Sequence, residues 1–135
     1  MALIEWSEKF RVGNKQIDEQ HKKWIKIYNT AHERMMSSDI KVISSTGVDA
    51  LREMKAYGEY HFSVEEEFMK SIGFDGLDFH KQLHKGYTEK IDKIIQDIAA
   101  GTYVLNSEII KTIENWLLHH ILIEDQKMKS FIKTT

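Results

Sequence analysis

Histidine is frequent in this chain, and several of its seven histidines are spaced as metal ligands on helices would be. Imidazole is the side chain that most often ligates metals in proteins. His80 and His84 are four residues apart, as are His61 and Glu65. Residues four apart lie about one turn apart on one face of a helix, so each pair can direct two donor atoms at one cation. The two pairs predict a metal site built by more than one helix.

Two further histidines fall on apolar helical stripes. His21 lies between Ile17 and Trp24, and His120 follows Trp116 by four residues. Taken alone, a histidine in such a stripe is usually an ordinary hydrogen-bonded core residue. Five imidazoles and two carboxylates directed into one small core are different, because each buried polar group without a partner costs about 1–3 kcal/mol. A bound metal would remove that cost.

The second carboxylate of this cluster has two candidates. Glu124 is four residues after His120 and therefore stays on the same face of a regular helix. Asp125 is five residues after His120 and is rotated by about 140°. A local π-turn would bring Asp125 closer to that face. Spacing alone favours Glu124 and leaves Asp125 open.

Other polar residues are expected to stay outside the cluster. Glu66 and Glu67 rotate off the stripe that carries Glu65 and should form a solvated acidic face. His119 points roughly 100° away from its neighbour in the cluster and should be a surface or second-layer residue. His32 lies eleven residues beyond the first histidine of the cluster, about 16 Å along the helix axis, which is too far to join it.

The composition is that of an ordinary soluble globular protein. The chain has 135 residues, enough for one core, with 41% hydrophobic and 30% charged residues. Its net charge of -2 gives no basic surface for nucleic acid, and no apolar run approaches the ~20 residues that span a membrane. Cysteine is absent, so any metal must have nitrogen and oxygen ligands. We expect a cytoplasmic protein with no nucleic-acid or membrane partner.

Amphipathic helices must position these side chains. The chain has no proline and only seven glycines, which disfavours closely spaced β-turns. Gly73 fits the left-handed position that closes many helices. Short connections make successive helices antiparallel. The prediction is one all-α domain over 1–135, an antiparallel up-down-up-down four-helix bundle with an N-terminal arm. The arm covers 1–16, and apolar residues recur at helical spacing in four segments, about 17–37, 46–71, 77–100 and 107–132.

Taken together, these motifs resemble hemerythrins, especially the single-domain bacterial ones. The motifs occur in order, one on each helix, and cover nearly the whole chain: Phe10-x-Val12-Gly13 with Ile17-Asp18-x-Gln20-His21, then His61-Phe62-x-x-Glu65-Glu66, then His80-x-x-x-His84, then Trp116-Leu117-x-x-His120-Ile121-x-x-x-Asp125. The resemblance implies the same bundle and a site for two non-haem iron ions bridged by an oxo or hydroxo group.

The resemblance also assigns ligands. It implies that Glu65 and Asp125 bridge the two irons, and so selects Asp125 over Glu124. One iron would be held by His80, His84 and His120, and the other by His21 and His61. Two octahedral ions offer about twelve positions, and these ligands with one bridging oxygen fill all but one, on the iron with two histidines. The apolar side chains expected around the open position are Ile25, Phe62, Trp116, Leu117 and Ile121.

The function implied by the resemblance is reversible O2 binding for storage, delivery or sensing, without enzyme activity. An unidentified O2-accepting protein would then be a partner. The alternative is a di-iron oxidase or a peroxide- or NO-processing enzyme that uses the same open position. The chain lacks the Glu-x-x-His pairs of ferritin-like di-iron enzymes, which favours binding over turnover. A structural zinc site is disfavoured, because such sites are closed and four-coordinate.

Overall fold

The computed structural model describes residues 4–35, 40–100 and 107–132, and all regular structure within these ranges is helical. The four α-helices are Lys15–Met35 (α1), Ile40–Ser71 (α2), Leu77–Ala99 (α3) and Ser107–His119 (α4). α4 continues directly into a π-helical turn, His120–Glu124, and then a 3-10 segment, Asp125–Phe131. We call the whole stretch 107–131 the fourth helix. A 3-10 turn, Glu8–Phe10, lies in the arm.

The helix ends differ from the predicted ones by a few residues. α1 begins two residues early, and Asn14 Oδ1 accepts a hydrogen bond from the Ile17 amide (3.0 Å), as an N-cap side chain does. α2 begins at Ile40 and runs through the polar segment 44–47, which was expected to precede it. Serine and threonine each cost a helix at most about 0.7 kcal/mol, so they do not stop it. The predicted end of the first helix, at 37, lies outside the described residues.

The connection between α2 and α3 contains the glycine that the sequence singled out. Gly73 has a φ of 70°, the left-handed conformation predicted for it. The amides of Gly73 and Phe74 bond back to the carbonyls of Lys70 (3.2 Å) and Met69 (3.0 Å). These bonds satisfy carbonyl groups at the end of α2. They close the helix and turn the chain towards α3.

Neighbouring helices run antiparallel, as predicted. Lys55 of α2 pairs with Asp92 of α3, whereas Glu66 further along α2 meets His84, an earlier residue of α3. Contacting residue numbers rise on one helix as they fall on the other, which defines an antiparallel pair. The same reversal holds for three other pairs of helices: α1 with α2 (Gln20 with His61, Trp24 with Gly58), α3 with the fourth helix (His84 with His120, Tyr87 with Trp116) and α1 with the fourth helix (His21 with Asp125, Trp24 with Trp116).

The buried side chains form two apolar clusters with a polar layer between them. The larger cluster contains Trp24, Phe62, Tyr87 and Ile121 among others. The smaller one consists of Val12, Ile17, Met69, Phe74 and Met128. On α1, α2 and the fourth helix, the residues between the two clusters include His21, Glu65 and Asp125, all of them buried. The metal-site candidates therefore lie in the middle of the bundle.

The arm packs along the bundle and is hydrogen-bonded to both α1 and the fourth helix. Asp18 of α1 accepts hydrogen bonds from the amides of Val12 (2.7 Å) and Gly13 (3.4 Å). Gln126 of the fourth helix donates to the carbonyl of Phe10 (3.3 Å). Phe10 and Val12 are buried, one in each apolar cluster. None of the helices in the described ranges has a stretch long and apolar enough to cross a membrane.

Candidate metal centre

The structure brings together the seven side chains singled out from the sequence. Each is at most 2% exposed. Their donor atoms form two overlapping groups, and within each group all ligand atoms lie within 4.8 Å of one another. One group contains Glu65, His80, His84, His120 and Asp125, and the other contains His21, His61, Glu65 and Asp125. The two carboxylates belong to both groups.

Glu65 divides its two oxygens between the groups. Its Oε1 atom lies 3.1 Å from Nε2 of His80 and 3.1 Å from Nε2 of His84. Its Oε2 atom lies 3.2 Å from Nε2 of His21 and 3.1 Å from Nε2 of His61. Glu65 reaches this position because it follows His61 by one turn on an unbroken α-helix. A carboxylate held in this way can donate one oxygen to each of two cations.

Asp125 divides its oxygens in the same manner. Its Oδ1 atom lies 2.7 Å from Nε2 of His80 and 3.0 Å from Nε2 of His120. Its Oδ2 atom lies 2.9 Å from Nε2 of His21. The two carboxylates thus span the same pair of histidine groups from different helices.

A π-turn directs Asp125 inward. The amide of Asp125 bonds to the carbonyl of His120, five residues back, instead of the usual four. Glu124, which simple spacing favoured, is also largely buried but lies outside the cluster, where Lys127 Nζ is 2.6 Å and His119 Nε2 3.3 Å from its oxygens. Of the two candidates, only Asp125 lies in the cluster.

Burial and charge change the pKa values of the clustered groups in opposing ways. Burial lowers the pKa of His21 and His80, but the close contacts and negative charges of Asp125 and Glu65 outweigh it and raise both to about 9. Burial prevails at His61, whose pKa is lowered despite the charge of Glu65. Burial raises the pKa of both carboxyl groups, yet the surrounding histidines hold both below their ordinary values. The centre therefore contains two ionised carboxylates beneath the surface, which suits a cation.

The donor set fits transition-metal ions. Three buried atoms of the cluster make no hydrogen bond: Nδ1 of His21, Nε2 of His61 and Oδ2 of Asp125. Nε2 of His61 lies 3.1 Å from Oε2 of Glu65, and Oδ2 of Asp125 lies 2.9 Å from Nε2 of His21, but neither contact has the geometry of a hydrogen bond. Nε2 of His84 and Nε2 of His120 face each other at 3.0 Å. Imidazole nitrogens and carboxylate oxygens converging in this way are the donors that iron, zinc and related metals accept. The cluster can hold a metal ion.

Two residues beside the cluster were missed by the sequence analysis. Nδ1 of His84 lies 2.8 Å from Oε2 of Glu66, so the prediction that Glu66 belongs only to a solvated acidic face is wrong. Nδ1 of His61 lies 2.8 Å from Oε1 of Gln20. A signal was available, because a metal-binding histidine usually donates its second ring N–H to an acceptor. Both acceptors adjoin a cluster residue in the sequence.

Aromatic and aliphatic side chains cover one side of the cluster. The ring of Phe62 stacks on His84 with centroids 3.8 Å apart, and the ring of Trp116 stacks on His120 at 4.5 Å. The other three residues expected around the open position are fully or almost fully buried in the larger apolar cluster: Ile25, Leu117 and Ile121. Phe62 and Trp116 thus give one side of the centre an aromatic wall.

Two histidines lie outside the cluster, as predicted. His119 is largely exposed and contacts Glu124. His32 is buried near Tyr28, with which it stacks at 6.1 Å, and among the described residues neither of its ring nitrogens has a hydrogen-bond partner. Neither histidine belongs to the two ligand groups.

Known proteins share both the sequence pattern and the fold. Residues 12–132 match the family model of the hemerythrin HHE cation binding domain. The chain is 29% identical over 126 residues to a bacteriohemerythrin of Clostridium acetobutylicum, covering 93% of this chain and 98% of that protein. It is 30% identical over 127 residues to a hemerythrin-like protein of Naegleria gruberi, covering 94% and 92% of the two chains.

A crystal structure of wild-type hemerythrin superimposes with a TM-score of 0.85 at 22% identity, covering 98% of this chain and all of the other. That likeness concerns the fold, a four-helix bundle. The family match extends over almost the entire length and includes every residue of the buried cluster. The chain belongs to the hemerythrin family.

Proposed function

We propose that this protein binds O2 reversibly at a non-haem di-iron centre and does not turn over a substrate. Members of the hemerythrin family bind non-haem iron. In the proposal Glu65 and Asp125 bridge the two irons. The terminal ligands are His80, His84 and His120 for one iron and His21 and His61 for the other.

The proposal is carried by the way both carboxylates divide their oxygens between the two histidine groups. A single cation would need the donors to converge on one point, whereas here they form two groups that share only the carboxylates. Together with one bridging oxygen, five histidines and two bridging carboxylates would also leave one coordination position free on two octahedral ions. That position would be on the iron with two histidines.

When bound, the irons would supply a binding position for O2 and electrons that O2 can take up and return. The protein's own side chains would control what else reaches that position. Trp24 and Phe62 lie beside His61, with ring centroids 5.4 and 6.1 Å from it, and Phe62 and Trp116 also stack on His84 and His120 of the other group. An apolar wall of this kind excludes water and protons, which favours release of intact O2.

The decisive experiment is iron loading without oxygen, followed by titration with O2. We expect about two irons per chain by metal analysis, in line with the coordination count, and a visible absorption band that appears with O2 and disappears when O2 is removed. His84→Ala should abolish the band, and His119→Ala should preserve it. One tightly bound ion, or only zinc in protein expressed with iron, would overturn the di-iron proposal.

The enzyme alternative can be separated in the same preparation. With a chemical reductant present, a binding protein takes up O2 once, whereas an oxidase continues to consume it. We expect uptake to stop when the binding sites are filled. Continued consumption in proportion to the reductant would replace the binding proposal with an oxidase. A binding protein would also need an unidentified partner to receive the O2.

A further inference from the structure

Two histidines of the centre are held from outside by acceptors of different charge. His84 uses Glu66, a carboxylate, and His61 uses Gln20, a neutral amide. Both contacts are 2.8 Å long and both involve the Nδ1 atom, on the side of the ring away from the cluster. The two halves of the centre are therefore alike in geometry and different in charge.

The contact with Glu66 determines which nitrogen of His84 carries the proton. An ionised carboxylate can only accept, so Nδ1 of His84 must donate to it. Nε2 points into the cluster, 3.1 Å from Glu65 Oε1, and is the nitrogen that would offer its lone pair to a metal bound there. Phe62 stacks on the same ring with an interplanar angle of 8°, which fixes the plane of the imidazole. Glu66 and Phe62 together leave the ring one orientation.

The surroundings of Glu66 allow it to keep its charge at low cost. Its side chain is 27% exposed, while that of His84 is 3% exposed. Glu66 lines a groove of about 550 Å³ between α2 and α3, whose other charged residues are three lysines and three glutamates. A partly solvated carboxylate avoids the desolvation penalty of a fully buried one. A charge-assisted hydrogen bond is also roughly twice as strong as a neutral one.

We propose that Glu66 is a positioning residue of the centre, which orients His84 for metal binding and makes the three-histidine half the more electron-rich one. A carboxylate that accepts from a metal-bound imidazole raises the basicity of that ligand. Gln20 orients His61 without adding charge. This inference rests on the proposed function, because it assigns a role at the same di-iron centre.

The first test measures metal affinity, with the neighbouring glutamate as a matched control. Glu66→Ala should lower the affinity for Fe2+, measured without oxygen against a competing chelator, by roughly 10–100-fold. Glu67→Ala removes an equal charge from the same groove and should leave the affinity unchanged, since Glu67 is exposed and lies outside both ligand groups. Equal affinities for the two variants would overturn the proposal. The melting temperatures of the metal-free variants should match, and a fall confined to Glu66→Ala would reassign Glu66 to a structural role.

The second test separates orientation from charge. Glu66→Gln retains an acceptor for Nδ1 of His84 but removes the negative charge. The iron affinity of Glu66→Gln should be close to that of the wild type and well above that of Glu66→Ala. The reduction potential of iron-loaded Glu66→Gln should be more positive than that of iron-loaded Glu67→Gln. The reason is that the negative charge of Glu66, which would stabilise the oxidised irons, is then missing. Equal potentials in the two glutamine variants would remove the electronic part of the proposal.

The two proposals fail in different ways. If the wild-type chain does not bind two irons, the di-iron function fails and the role of Glu66 fails with it. If the wild type binds iron and O2 as expected but Glu66 and Glu67 variants behave alike, only the role of Glu66 is overturned.

Discussion

The two middle helices and the fourth helix bring their polar side chains to the centre in different ways. α2 contributes His61 and Glu65, and α3 contributes His80 and His84, in each case four residues apart on regular α-helix. The fourth helix contributes two residues five apart and needs a π-turn to align them. Helical spacing therefore identifies site residues only where the helix remains regular.

The irregular turn is held from both sides. Inside the bundle, Asp125 contacts His21, His80 and His120. Outside, Glu124 lies between Lys127 and His119. The extra residue of the turn thus separates two adjacent carboxylates, one in the centre and one that pairs with Lys127 and His119 beside it. π-Turns are rare and often found at functional sites, which agrees with its position here.

The largest effect should come from deleting one residue from a regular helix. Removal of the exposed Ser63 leaves Glu65 three residues after His61 and rotates the rest of α2 by about 100°. Both Glu65 and the buried Met69 would leave their positions. We expect complete loss of metal binding and a large loss of helicity, measured by metal analysis and circular dichroism.

The matched deletion in the fourth helix should be tolerated. Removal of Ile123, which is 50% exposed, leaves Asp125 four residues after His120. A π-turn carries one residue more than a regular turn, so this deletion should restore α-helix and keep Asp125 on the inner face. Metal content close to that of the wild type is expected. Loss of metal would show that the centre requires the π-turn itself.

Substitution within the irregular turn should have the next largest effect. Asp125→Asn keeps the shape but removes a charge shared by both histidine groups, so iron affinity should fall at least tenfold, or about 1.4 kcal/mol. Glu124→Gln should bind iron as the wild type does. Chelator competition on both variants gives the comparison, and the opposite ranking would favour Glu124 as the ligand.

Metal removal should loosen the fourth helix more than the middle helices. A ligand at a hundredfold excess over its Kd stabilises the folded state by about 2.7 kcal/mol, and that contribution is lost on removal. Amide hydrogen exchange should accelerate most in the stretch 120–131, where π and 3-10 hydrogen bonds replace regular α-helical ones. Equal acceleration of exchange in α2, α3 and the fourth helix would contradict the prediction that the fourth helix depends most on the metal.

The smallest effect is expected at the outer side of the turn. His119→Ala removes one of the two partners of Glu124 by truncating a side chain that is itself 63% exposed. Such pairs contribute about 0–1 kcal/mol, so the free energy of unfolding should change by no more than that. Urea denaturation of the metal-free protein measures it. Loss of the metal site in this variant would indicate that His119, and not His120, faces the centre.

The parts that could be predicted from the sequence are those governed by regular periodicity. The pairs on α2 and α3 lie on apolar stripes, and the left-handed Gly73 follows from its place after a helical segment. Asp125 could be chosen only through the resemblance to hemerythrins, because helical spacing favours Glu124. The role of Glu66 was missed, because charge on an outward face is usually solvated and the contact with His84 depends on how α2 and α3 pack.

The order of the site residues along the chain has a consequence for biosynthesis. More than a hundred residues separate His21 from Asp125, and Asp125 is the last of the seven to leave the ribosome. At about 5–20 residues per second, the nascent chain exposes an incomplete set of donors for several seconds. The earlier helices can offer four histidines and Glu65 to passing metal ions during that time. Full discrimination between cations at the proposed centre would begin only after the fourth helix has joined the bundle, so metal selection would follow translation.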